Sequence, residues 1–133
     1  MPPAIHTVEH GMLIRRYEAD AGVHTLVWIH GLGESGLCFE RIVATAPLDR
    51  YRHIVPDLPV YGRSAWPSQP PSLGATAATL ADLIAGEGAP VTLVGHSLGG
   101  VLALLVARDT PADVSMVVEV EGNNGLGGVR GLG

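Results

Sequence analysis

The stretch Val91-Thr92-Leu93-Val94-Gly95-His96-Ser97-Leu98-Gly99-Gly100, running directly into Val101-Leu102-Ala103-Leu104-Leu105-Val106-Ala107, decides how this chain folds. It reads as a buried strand, a sharp turn and a helix, with Ser97 at the apex. A Gly-x-Ser-x-Gly pattern carries little by itself in a chain with 18 glycines. The context supplies the meaning. A serine that attacks a carbonyl has to project from the end of a sheet, and the strained turn that presents it admits only small residues at Gly95 and Gly99.

Around this stretch, 133 residues with 47% apolar and 16% charged composition describe one globular domain with enough material for a packed core. Thirteen acidic against eight basic residues give a net charge of −5 without any basic cluster, which excludes an electrostatic nucleic-acid footprint. Cys38 is the only cysteine, so no internal disulfide forms; it reads as a small apolar residue on the first helix. The start, Met1-Pro2-Pro3-Ala4-Ile5-His6, lacks the pattern of a signal peptide, and no apolar run reaches the ~18 residues of a membrane span. The expectation is a cytoplasmic chain with no membrane partner.

Upstream, Ile5–Glu9 and Met12–Glu18 flank His10-Gly11 as an antiparallel hairpin. His24 to His30 is apolar through its middle, as a strand covered on both faces must be, and it ends in Gly31-Leu32-Gly33-Glu34-Ser35-Gly36. Leu37–Leu48 is predicted to be a helix with Phe39, Ile42, Val43 and Ala46 on one face, and Arg52–Pro56 the next strand, closed by Asp57. Four prolines between Leu58 and Pro71 predict a surface loop. Ser72 caps a helix whose apolar face holds Ala77, Leu80, Ala81 and Ile84. Beyond the serine turn, Ser115–Glu121 is a further strand. The alternation predicts an α/β fold, a mostly parallel sheet with flanking helices. Residues 1–121 form the core. Residues 122–133, six of them glycine, lack any periodic apolar pattern and are expected to be disordered.

The first glycine loop has two readings. Gly31-x-Gly33-x-x-Gly36 follows a strand, opens a helix and has Asp57 about twenty residues on, which fits a Rossmann-type dinucleotide site. Alternatively, the backbone amide of Leu32 points with that of Leu98 at one substrate carbonyl oxygen, forming an oxyanion hole. Only the second reading also calls for a serine elbow two strands later.

His30-Gly31-Leu32-Gly33, the segment Asp57-Leu58-Pro59-Val60-Tyr61-Gly62-Arg63-Ser64 and Gly95–Gly100 occur in the order and spacing of three α/β-hydrolase motifs. Across Ile5 to Glu121 the chain resembles that superfamily, in its serine-nucleophile branch. The resemblance implies a sheet order of 1-2-4-3-5-6-7-8 in the complete fold, Ser97 as nucleophile, a small-molecule acyl substrate (an ester, thioester or related bond) and no cofactor. It also implies that this chain corresponds to strands one to six, without cap, strand seven or strand eight, because complete members run to about 250 residues.

The remaining polar residues have structural readings beside catalytic ones. His96 adjoins the serine, but the turn sends neighbouring side chains apart, so packing is its expected role. His30 is expected to order its loop by hydrogen bonds, supported by Gly31 and Gly33, and Asp57 to cap the Pro59–Gly62 turn. Glu121 ends the sixth strand, where a minority of the family places its acid; its other reading is a polar strand end facing water. No His/Cys/carboxylate set has metal-ligand spacing. All six histidines lie at or before position 96, so the base that this family supplies after strand eight is missing from the sequence. The alternative is therefore a catalytically dead ligand-binding or interaction module on the same half-fold. An uncovered sixth strand would also invite self-association.

Overall fold

A computed structural model describes residues 4–19, 22–31, 33–45, 48–59, 71–121 and 128–132. The strands are β1 (Ile5–Glu9), β2 (Met12–Tyr17), β3 (Thr25–Ile29), β4 (Arg52–Pro56), β5 (Val91–His96), β6 (Val114–Glu121) and β7 (Gly128–Leu132). The helices are α1 (Glu40–Val43), α2 (Leu73–Ala85) and α3 (Leu98–Asp109). One sheet carries the order β1-β2-β4-β3-β5-β6-β7, which matches the expected order through its first six strands. β3, β4, β5 and β6 run parallel, and β1 and β2 form the antiparallel hairpin at one edge. His10 and Gly11 both take positive φ, as the tight two-residue turn between those strands requires.

Alternation along the strands sorts the core into two layers. Val27 and Ile29 of β3 and Leu93 of β5 join α2 and α3 in one cluster, whereas Trp28 and Val94 point to the other face, against Phe39 and Val43. β3, β4 and β5 thus bury both sides, whereas β6 buries Val117 and leaves Met116 exposed. Ser72 caps α2 as expected, accepting the Ala75 N–H at 3.0 Å.

Two expectations are corrected. Leu37–Leu48 is not one helix: a 3-10 turn over Gly36–Phe39 precedes the four-residue α1, and a second 3-10 turn spans Leu48–Arg50. The Thr45 hydroxyl donates to the carbonyl of Ile42 at 2.6 Å, competing with the helical ladder just where α1 stops. Phe39 and Val43 are buried as the pattern demands, but Ile42 is 45% exposed. The second correction concerns the glycine-rich end. Gly128–Leu132 forms β7, antiparallel to β6, with Val117 opposite Leu132 and Glu121 opposite Gly128. Backbone groups along β6 need partners whatever the side chains are, and a hairpin supplies them without an apolar periodicity. β6 is consequently not an edge of the sheet.

Candidate active site

The elbow forms because three glycines permit backbones to meet. A side chain at Gly95 would collide with the carbonyl of Gly99, and one at Gly99 with the carbonyl of Ile29, so the first turn of α3 lies directly on the ends of β5 and β3. Gly31 closes the arrangement from the other loop: a Cβ there would stand 3.1 Å from both the His96 carbonyl oxygen and Ser97 Cβ. Between these contacts Ser97 adopts φ +57 and ψ −119, a conformation that costs a non-glycine residue about 1–3 kcal/mol. Its side chain is exposed at the carboxyl end of the parallel strands. The Ser97 N–H donates to the Val120 carbonyl at 3.3 Å, and the Ser97 carbonyl accepts the Gly100 N–H at 2.9 Å.

Leu98, the other expected oxyanion donor, is the first residue of α3, where a backbone N–H has no acceptor within the helix. Leu32 lies outside the described residues, as do positions 60–64 of the Asp-x-Pro segment. The flanking Gly31 and Gly33 are described, with Gly33 at φ +75, and the loop is drawn together by the Glu34 N–H donating to the Gly31 carbonyl at 3.3 Å.

His30 orders this loop. Its Nδ1 lies 2.8 Å from the Gly31 carbonyl and so carries the proton, and its Nε2 accepts the Leu58 N–H at 3.0 Å. Burial pushes its pKa below the ordinary histidine value, the Gly31 hydrogen bond opposing only in part. Asp57 is fully buried; its Oδ1 accepts Arg15 Nη1 at 2.6 Å and the Gly36 N–H at 2.8 Å. The turn that Asp57 was expected to cap runs beyond the described residues. β4, which Asp57 follows, lies on the opposite side of β3 from β5, and this separates the carboxylate from the elbow.

His96 is not a simple packing residue: its Nδ1 stands 3.1 Å from Glu34 Oε1, joining elbow to loop. Glu34 also accepts from the Cys38 thiol, whose pKa is pushed up to about 12 by partial burial and by that carboxylate, so the thiol stays protonated at neutral pH. Glu121 ends β6 with its backbone opposite Gly128, and its side chain lies outside the description. Sequence reasoning missed Glu34 and Arg15. The signal for Arg15 was present: a cation directly following the apolar run Met12-Leu13-Ile14 within one strand requires a partner wherever that strand is buried.

The dinucleotide reading of the glycine loop fails on this geometry. Asp57 is committed to Arg15 and Gly36, a Cβ at Gly36 would stand 2.7 Å from Arg15, and the loop opens into a 3-10 turn instead of a regular helix N-terminus. Among the described residues no group of three or more His, Cys, Asp or Glu side chains could hold a metal ion. No helix among them is long and apolar enough to cross a membrane.

Residues 26–131 match the model of the alpha/beta hydrolase family. Among curated proteins, a Mycobacterium tuberculosis protein named lipase LipV is 33% identical over 118 residues, covering 88% of this chain and 44% of that protein. A probable esterase of Oryza sativa, PIR7A, is 33% identical over 104 residues, covering 74% and 38%. Among solved structures, an alpha/beta hydrolase of Novosphingobium aromaticivorans superposes with a TM-score of 0.80 at 24% identity, covering 91% of this chain and 45% of that one. A thioesterase domain from the curacin biosynthetic pathway gives 0.73 at 26% identity, covering 88% and 45%. The chain spans less than half the length of each of these proteins.

Proposed function

Because the chain belongs to the alpha/beta hydrolase family, we propose that it is the nucleophile-bearing part of a hydrolase of esters, thioesters or related acyl bonds, and that these 133 residues alone turn over weakly or not at all. The observation that carries this reading is the strained, exposed Ser97 at the junction of β5 and α3, held against Gly31 of the neighbouring loop. The lipase, esterase and thioesterase among the similar proteins support an acyl bond as the target. In this reading Ser97 Oγ attacks the acyl carbon, the carbonyl electron pair moves to oxygen, and the amides of Leu98 and Leu32 receive the negative charge.

The missing step is removal of the serine proton. His30 has its two ring nitrogens on Gly31 and Leu58, and His53 has its own on Trp28 and Leu48. His24 sits beside Thr92 at the amino ends of β3 and β5, the wrong end of the sheet. His6 and His10 belong to the β1–β2 hairpin; β1 is four strand spacings from β5, roughly 19 Å. His96 is paired with Glu34 through Nδ1, and among the described residues no hydrogen bond joins its ring to Ser97. This favours the second reading, a non-catalytic ligand-binding module on the same partial fold, for the chain as it stands.

Hydrolysis of p-nitrophenyl acetate by the wild type and Ser97→Ala tests the proposal. The expected rate is at most the roughly 10³- to 10⁴-fold advantage over water that an oxyanion hole and binding confer without a working triad, and because that remainder needs no nucleophile, Ser97→Ala is expected to change it little. Turnover within about tenfold of a complete esterase contradicts the proposed incompetence. Acetylation of the Ser97 peptide after prolonged exposure supports the nucleophile, and acetylation confined to other residues contradicts it.

A further inference from the structure

The first glycine loop is held from two sides. Toward β4, the Gly36 N–H donates to the buried Asp57 carboxylate at 2.8 Å, and the His30 ring bridges the Gly31 carbonyl and the Leu58 N–H. β4 lies across β3 from β5, so these ties leave the distance between loop and elbow unset. Toward the elbow the loop is held by Glu34. Its backbone N–H donates to the Gly31 carbonyl at 3.3 Å, and its Oε1 stands 3.1 Å from His96 Nδ1, with the Cys38 thiol donating to the same carboxylate. A carboxylate only accepts, so Nδ1 carries the proton of that contact.

Glu34, Gly31 and Ser97 meet in one place: a Cβ built on Gly31 would stand 3.2 Å from Glu34 Oε1 and 3.1 Å from Ser97 Cβ. Among the described residues, no other side-chain hydrogen bond or ion pair joins residues 31–35 to the elbow. With side chains 30% and 23% exposed, the Glu34–His96 pair is a weak source of stability. Its weight lies in geometry, because a misplacement of about 1 Å at a reacting centre can cost about a hundredfold in rate. We infer that Glu34 is a positioning residue, clasping the loop to the elbow through His96 and so setting the spacing at which Ser97 and the loop act on one carbonyl. This role rests on the acyl-bond reading above, in which the loop supplies one oxyanion donor.

Two measurements on the 133-residue chain separate the role from a merely structural one. The first is amide hydrogen exchange by mass spectrometry, which reads the loop and elbow whether or not Ser97 reacts. Glu34→Ala and His96→Ala are each expected to speed exchange in peptides spanning 31–36 and 95–100, with peptides from α2 and β4 unchanged. The second is modification of Ser97 by an alkyl fluorophosphonate, in which Oγ displaces fluoride from phosphorus while the phosphoryl oxygen occupies the oxyanion position. Each variant is expected to lower the limiting rate at least about tenfold with little change in the half-saturating concentration, and the double variant no further than either alone. Glu34→Gln, whose amide oxygen still accepts the Nδ1 proton, is expected to restore both signals.

Four results overturn the role. Exchange in both peptides indifferent to Glu34→Ala would show that the pair holds nothing. Ser97 modified equally fast in wild type and Glu34→Ala would leave Ser97 standing as nucleophile without this support. Glu34→Gln as slow as Glu34→Ala would make the charge, and not the clasp, responsible. No modification of Ser97 in any form would remove the acyl-bond reading together with the role built on it.

Discussion

Ser97 concentrates the cost of the fold at one residue. Its φ of +57 is tolerable because β5, α3 and the Gly31 loop leave the backbone no alternative path. Ser97→Gly is therefore expected to raise stability by about 1 kcal/mol, whereas Ser97→Ala keeps the strain and gains nothing comparable. Urea midpoints of the two variants check this. A Ser97→Gly protein less stable than wild type would mean that the turn is unstrained.

Among the elements, the Arg15–Asp57 pair joins β2 to the end of β4 and, through the Gly36 N–H, to the 3-10 turn that follows the first glycine loop. Both partners are buried, so removing one leaves the other uncompensated: Asp57→Ala is expected to cost about 3–5 kcal/mol in equilibrium unfolding, and Arg15→Met/Asp57→Leu distinctly less. Equal losses in the single and double variants would show that the pair's charges are well solvated. This link was only half legible in the sequence. Asp57 is visible as the end of a strand, but its partner lies 42 residues upstream on a strand that is its neighbour only after the sheet order is known. The elbow was legible because strand, glycines, serine and helix are consecutive. α1 was misread because apolar spacing fixes which residues face inward, and Phe39 and Val43 do, without fixing how long the ladder continues. β7 left no apolar pattern to read, since its pairing with β6 is a backbone matter.

For the molecule as one body, two buried neutral histidines set the response to acid. His53 accepts the Trp28 indole N–H at 2.8 Å on Nδ1 and lies 2.6 Å from the Leu48 carbonyl through Nε2, and burial lowers its pKa as it does that of His30. In the unfolded chain both titrate near the ordinary value of about 6.5. Below that pH the unfolded state binds protons that the folded state refuses, so stability falls as pH drops from about 6.5 toward the depressed folded values, and is fully present above 6.5. Melting temperatures between neutral pH and pH 5 are expected to decline, with a shallower slope in His53→Gln, which retains a donor and an acceptor. A profile flat across that window would contradict the burial of these rings in their neutral form.

The proposed catalysis, too, is a matter for the entire chain, which spans less than half the length of the hydrolases it matches and in which no imidazole is hydrogen-bonded to Ser97 among the described residues. The decisive quantity is the rate and site of labelling by a fluorophosphonate, read by mass spectrometry of the modified peptide. Modification is expected at Ser97, absent in Ser97→Ala, and slower than in a complete serine hydrolase by at least roughly a hundredfold, the scale of one general base. Labelling as fast as that of a complete enzyme, or spread over serines other than Ser97, would contradict this reading.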